Sequence, residues 1–117
     1  GLCLPVACDE NNQVLGFAAL VLMHSLVEPG PMNRRQCLLK ELYVRSDCRS
    51  DGVGRVLMHW AADYALRSGC GRMDWNVKAI NLRGISFYKF LGGQQVEDRL
   101  SFRLSRDALA QLARGVA

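Results

Sequence analysis

The chain is 117 residues long, 50% hydrophobic and 22% charged, with a net charge of +4 and a pI near 9.0. That size predicts one domain, residues 1–117, around a single core. No apolar run reaches the roughly 20 residues that cross a bilayer, since VLGFAALVLMH is short and closes on His24, so no membrane partner is expected.

In chain order, Leu2 to Cys8 is a short apolar run, DENNQ reads as a turn and VLGFAALVLMHS as a strand covered on both faces, the pair making an antiparallel hairpin. VEPGPMNRR holds two of the three prolines and reads as a loop; the next strand runs from Cys37 to about Val44. From Gly52 the period changes. Val53, Val56, Leu57, Trp60, Ala61, Tyr64 and Ala65 recur at helical spacing, and Gly69 and Gly71 stop the pattern. RMDWNV alternates as a strand, Asn81 can cap a short helix over Leu82 to Leu91, and Gly92-Gly93 ends it. QQVED and LSFRLS read as two closing strands, and Ser105 can cap a last helix carrying Leu109 and Leu112. The order β-β-β-α-β-α-β-β-α is that of an α/β fold, and the unit from Cys37 to Val77 should be a right-handed parallel crossover.

Five cysteines, with no C-x-x-C pair and only His24 and His59 beside them, do not make a metal site. They read as free thiols in a reducing compartment, mostly buried, and the expected location is cytoplasmic. The basic charge is scattered over Arg34, Arg35, Arg45, Arg49, Arg55, Arg67, Arg72 and Arg83, without the interleaved aromatics of single-strand binders. A nucleic-acid partner is therefore not expected, whereas a polyanionic small molecule fits.

The stretch YVRSDCRSDGVGRVL carries the strongest local signal, R-x-x-G-x-G between a strand and a helix. A helix start offers N–H groups without partners and a partial positive charge. Gly52 and Gly54 clear Cβ atoms from that start, and Arg49 and Arg55 add charge suited to phosphate oxygens. The pattern is either a phosphate cradle or a plain glycine-rich turn with exposed arginines. It lacks the G-K-[ST] of a P-loop and the third glycine of a dinucleotide fingerprint, because position 57 is Leu.

LYVRSDCRSDGVGRVLMHWAADYALRSGCGRMDWNV followed by NLRGISFYKFLGG resembles the GNAT family of N-acetyltransferases, and in particular its diamine branch, which includes the spermidine/spermine acetyltransferases. The resemblance covers roughly Val14 to Leu104 and rests on R-x-x-G-x-G and N-x-x-x-x-x-F-Y-x-x-x-G in the right order. It implies a GNAT-like mixed central sheet flanked by helices, with acetyl-CoA in a V-shaped cleft between two parallel strands. It also implies that backbone groups of Leu42, Tyr43 and Val44 pair with the pantetheine arm. Amides of Ser50, Asp51, Gly52, Val53, Gly54 and Arg55 would hold the pyrophosphate beside Arg49, and Asn81 with the residues after it would contact the far side of the cofactor.

The expected chemistry is acetyl transfer to a primary amine of a small molecule by direct attack. Tyr88 is the general acid for the departing thiolate, or else a packed core tyrosine, since Ile85, Phe87, Tyr88 and Leu91 also sit at contact spacing. Glu41 is a water-linked base or a rim glutamate. In the diamine branch two carboxylates precede the pantetheine strand; here the pair reads Lys40-Glu41, and the lysine disfavours a polyamine. Asp74, Trp75 and Asn76 line up with family positions beside the acceptor. The sequence opens at about the family's second strand, with Gly1 rather than Met, so it reads as N-terminally short and a homodimer is expected. A non-catalytic acetyl-CoA-binding or interaction domain of the same fold is the alternative.

Overall fold

The structure is a computed structural model that describes residues 1–24 and 35–115. The expected loop VEPGPMNRR lies outside the described residues, apart from Arg35. The chain divides into two compact units, Gly1–Ile85 and Ser86–Ala117.

The first unit holds a mixed sheet. Pro5 splits the opening apolar run into β1 (Leu2–Cys3) and β2 (Val6–Cys8), both antiparallel to β3 (Val14–His24). Proline has no N–H to give to a ladder, which is why one expected strand becomes two. The turn before β3 is built by Asp9, whose carboxylate accepts from the N–H groups of Asn11 and Gln13. β3 is antiparallel to β4 (Arg35–Val44), and β4 is parallel to β5 (Arg72–Asp74). A 3₁₀ turn (Ser46–Cys48) and helix α1 (Val53–Arg67) connect β4 to β5, the expected crossover.

The core lies between α1 and the strands β3 and β4. Ala18 and Leu20 on β3, Cys37 and Leu39 on β4, and Leu57, Met58, Ala61 and Ala65 on α1 are buried. Alanines at 18, 61 and 65 leave room for the large side chains, and each buried Leu or Met contributes about 2 kcal/mol. The buried face of α1 is rotated from the expected stripe. Met58 is inside, whereas Val56 and Trp60 are exposed and Trp60 stacks on Tyr64 at 5.4 Å. At the C-terminal end of α1, Arg35 Nη1 donates to the Ser68 carbonyl at 2.6 Å, and the Gly71 N–H to the Arg35 carbonyl at 3.0 Å, which fixes where β5 begins.

Helix α2 (Leu82–Phe90) starts at the end of the first unit and continues into the second, followed by α3 (Arg106–Ala113). Ser105 caps α3 as expected, its Oγ accepting from the Ala108 N–H at 3.2 Å. The two closing strands do not form: residues 94–98 and 100–105 have no strand structure. Alternation makes a strand only where a neighbour completes the ladder, and the second unit offers none among its described residues. Leu100, Phe102 and Leu104, the apolar side of that alternation, are exposed. The observed order is thus β-β-β-β-α-β-α-α, a mixed sheet with flanking helices but without the expected final strand pair.

All five cysteines are free thiols, with Cys37, Cys48 and Cys70 buried, Cys3 half-buried and Cys8 exposed. Among the described residues no helix is long and apolar enough to cross a membrane, and no group of His, Cys, Asp and Glu could hold a metal ion.

Candidate active site

The site begins where the parallel ladder ends. β4 and β5 pair only at Gln36↔Arg72, Cys37↔Met73 and Leu38↔Asp74. Beyond Leu38 β4 runs on to Val44, while after Asp74 the chain is no longer a strand. Among the described residues no strand pairs with that side of β4 from Leu39 onward.

On its other side β4 stays paired with β3, and this decides which backbone groups face the opening. The Arg45 N–H donates to the Leu15 carbonyl at 2.8 Å. In an antiparallel ladder the direction alternates, so the groups of Arg45, Tyr43 and Glu41 face β3. Those of Leu42 and Val44 face the open side. Tyr43 contributes its ring instead, 5.5 Å from that of its cross-strand partner Phe17.

The β3–β4 register shifts within the same region. Ala19 pairs with Glu41 and Leu20 with Leu39, so Lys40 is an extra residue, a β-bulge. Bulges re-aim side chains and bend a strand away from its neighbour. Here the bulge presents Lys40 and Glu41 in succession, both exposed and neither with a side-chain partner among the described residues.

The R-x-x-G-x-G turn sits directly after β4. Arg45 and Asp47 pin its entry through an ion pair at 2.6 Å. The Arg45 guanidinium holds the Asp47 carboxyl below its ordinary range. Ser50 (φ 80°) and Gly52 (φ 84°) both adopt left-handed backbone, and Gly52 opens α1 with no side-chain cap. The Val56 N–H bonds to the Gly52 carbonyl at 3.0 Å, and α-helical geometry leaves the amides ahead of it pointing out of the helix start. A Cβ at Gly52 would project into open space, so the fold needs glycine here for its φ and leaves the helix start accessible to an anion. A phosphate group fits this arrangement.

The cations are placed differently from expectation. Arg49 Nε donates at 3.3 Å to the Val44 carbonyl, back along β4. Arg83, among the residues after Asn81, reaches the turn from the first turn of α2 and donates from Nη2 to Ser50 Oγ at 2.6 Å. Nothing periodic marks Arg83 in the sequence, because the contact spans 33 residues. Asn81 is the expected cap of α2, its Oδ1 accepting from the Gly84 N–H at 2.9 Å. Asp74 is ion-paired to Arg72 at 3.0 Å, so its carboxylate is already matched by a cation. Trp75 is half-buried and Asn76 exposed, both just past β5.

In the second unit Tyr88 is half-buried, its ring 5.4 Å from that of Phe87. Burial pushes its phenol above the ordinary value of 10.0, so it carries its proton throughout the neutral range.

A parallel strand pair that stops pairing, a bulge beside the opening and an anion-ready helix start follow one another along the chain, an arrangement open to an extended ligand that carries a phosphate. The family comparison agrees: residues 1–92 match the acetyltransferase (GNAT) family, and the chain belongs to it. That family uses acetyl-CoA. Among curated relatives, the chain is 38% identical over 113 residues to thialysine N-epsilon-acetyltransferase of Mus musculus, covering 90% of this chain and 61% of the relative. It is 30% identical over 101 residues to an L-ornithine N5-acetyltransferase of Arabidopsis thaliana, covering 86% of this chain and 43% of that protein. The chain therefore spans roughly half of these relatives' lengths. Among solved structures, an integron cassette protein from the mobile metagenome of V. cholerae superimposes with a TM-score of 0.86 at 31% identity, over 97% of this chain and 67% of that one. An aminoglycoside N-acetyltransferase solved in complex with CoA shares the fold, with a TM-score of 0.74 at 20% identity over 87% of this chain and 75% of the other.

Proposed function

We propose that the chain is the catalytic domain of an acetyl-CoA-dependent N-acetyltransferase acting on a primary amine of a small molecule. The observation that carries this reading is the ladder ending at Leu38↔Asp74 while β4 continues past the Lys40 bulge to Val44. It leaves the peptide groups of Leu42 and the Val44 N–H directed at a lane that leads to the uncapped start of α1, with the Val44 carbonyl accepting from Arg49 Nε.

Bound acetyl-CoA supplies an acetyl group already activated as a thioester. The residues of this chain do the rest. Peptide groups of Leu42 and Val44 align the amide-bearing arm as an added strand. The amides of Ser50 to Arg55 hold the diphosphate, with Arg49 beside them and Asn81 at the far side. Glu41 takes the proton that the attacking amine releases, through water, as the N–C bond forms. Tyr88 gives its proton to the thiolate as the C–S bond breaks, a role supported by a phenol that burial keeps protonated.

Asp74, Trp75 and Asn76 border the acceptor. Lys40 beside Glu41 suits an amine that also bears a carboxylate better than a polyamine. A second cation at close range costs about 1 kcal/mol, whereas a carboxylate gains about as much. Relatives named for thialysine and ornithine, both amino acids, point the same way. A cytoplasmic location suits the five free thiols, and a homodimer suits the exposed Leu2 on β1, Val6 on β2 and Leu4 between them; light scattering tests the latter.

The test is calorimetric titration with acetyl-CoA, followed by a panel of diamines and basic amino acids with products identified by mass. Micromolar binding and an acetylated amino acid are the expected results. A second reading, a domain that binds acetyl-CoA without turning it over, draws on the Asp74–Arg72 ion pair, which leaves that carboxylate less ready for an ammonium group. Binding with no acetylated product from any amine would favour it. No binding would overturn both.

A further inference from the structure

We propose that Lys40 is itself an acetyl acceptor, so that the chain modifies its own β-bulge when acetyl-CoA is bound and no other amine is present. The inference rests on the acetyl-CoA reading of the lane beside β4. A ligand whose diphosphate meets the start of α1, and whose arm pairs with the Val44 N–H and with Leu42, runs back along β4 towards its first residues. It cannot pass Leu38, because from there β5 occupies the same side of the strand through Leu38↔Asp74. The thioester end therefore stops between Leu38 and Leu42, about 13 Å of strand. The bulge lies in the middle of that interval.

Leu39 pairs with Leu20 and is buried in the core, whereas Glu41 pairs with Ala19 and is exposed. Lys40 is the extra residue between them, exposed and carried on a flexible four-carbon stem. No carboxylate holds it among the described residues, since Asp74, at the end of the ladder, is ion-paired to Arg72 at 3.0 Å. A primary amine beside a bound thioester reacts as an intramolecular neighbour, at an effective concentration far above that of a free amine. Having given its ammonium proton to solvent, the Lys40 amine attacks the thioester carbonyl. The N–C bond forms as the C–S bond breaks, and the electron pair of that bond leaves on the CoA sulfur. The proton shed by the nitrogen passes through water to Glu41 and on to solvent, and solvent protonates the departing sulfur. The products are acetyl-Lys40 and free CoA. The new amide carries no charge, so modification removes the cation that favours an acceptor with a carboxylate.

The experiment incubates the chain with acetyl-CoA and no acceptor, and locates the added acetyl groups by peptide mass. The chain has three lysines, Lys40, Lys78 and Lys89, so the other two serve as internal references. Lys40 should be modified about tenfold faster than either or more, at a rate per molecule that does not change with protein concentration. Isoelectric focusing should show the matching loss of positive charge, and Lys40→Arg, with folding verified by its melting curve, should not show it. With S-acetyl-N-acetylcysteamine, a thioester without the diphosphate, the preference for Lys40 should vanish. In calorimetric titrations with CoA present, the modified chain should bind ornithine about fivefold more weakly than the unmodified one. Equal modification of the three lysines, or a preference that persists with the short thioester, would overturn the proposal by reducing Lys40 to an accessible amine. A rate that rises with protein concentration would also overturn it, placing the transfer between molecules. An unmodified Lys40 in a chain that binds acetyl-CoA would dismiss the inference, and acetylation of an added amine by that same chain would leave the proposed function standing. Absence of acetyl-CoA binding would overturn that function, and the inference with it.

Discussion

At Gly16, paired with Val44 across the β3–β4 ladder, a single added methyl group would collide with the Tyr43 carbonyl and crowd Val44 Cα at 3.2 Å. Those neighbours are backbone and cannot swing aside. Gly16→Ala should therefore cost about 1–3 kcal/mol in a denaturant titration, and should also disturb the strand end that faces the opening. The constraint at Gly52 is different, because space is free and φ is not. Gly52→Val should cost about 1–2 kcal/mol in stability and weaken CoA by about tenfold or more, because a branched side chain in left-handed backbone also projects where the anion approaches. Tyr88 gives a prediction in pH. Its phenol lies above 10.0, so its favourable protonated state is fully present below pH 10 and is lost as pH rises through the folded value. The alkaline limb of kcat should accordingly lie above pH 10 and disappear in Tyr88→Phe, with lower kcat and nearly unchanged cofactor affinity. An identical pH–rate profile in Tyr88→Phe removes Tyr88 from the mechanism. Gly52 and Tyr88 stood out in the sequence because turns and helix spacing are local, whereas the constraint on Gly16 comes from the facing strand. Arg83 did not, because its partner is 33 residues away.

For the elements, periodicity located the start of α1 but placed its buried face slightly wrong. Met58 takes the inward position expected for Trp60, since the face that turns inward is set by the shape of β3 and β4 and not by hydrophobicity alone. Ala61 lies fully buried in that contact, so Ala61→Leu should overpack it and cost about 1–3 kcal/mol, whereas Val56→Ala on the exposed side should change stability by less than about 0.5 kcal/mol. Denaturant titrations of the two variants check both values. Thiol labelling reads the same packing. Burial, with a smaller contribution from Cys70 and Cys3, raises the Cys37 thiol to about 11, so in the native protein at pH 8 Cys8 should react with a thiol reagent and Cys37 only on unfolding. The failure of the two closing strands belongs to this scale too. Val96, Leu100, Phe102 and Leu104 carry a strand pattern, but a strand is completed by its neighbour, and none pairs with them among the described residues.

For the whole molecule, ligand binding and folding are linked. Acetyl-CoA at about 100 times its Kd should stabilise the folded chain by about 2.7 kcal/mol, seen as a rise in Tm of several degrees that is smaller for Gly52→Val at the same ligand concentration. No shift at saturating acetyl-CoA would contradict the proposed function at its root. The sequence by itself determined the strand–helix–strand crossover, the R-x-x-G-x-G turn, the caps at Asn81 and Ser105 and the family, because each depends on residues near one another along the chain. Only the tertiary structure decided that Pro5 makes two strands of one and that Lys40 is a bulge. It alone showed that the β4–β5 ladder ends at Leu38, that Arg72 claims Asp74 and that Arg83 reaches Ser50. The Pro5 break and the Arg72–Asp74 pair, two residues apart, involve neighbours but form only as the strands around them pair. The bulge, the end of the ladder and the Arg83–Ser50 contact are fixed by register or by contact between distant segments, which no local pattern of side chains encodes.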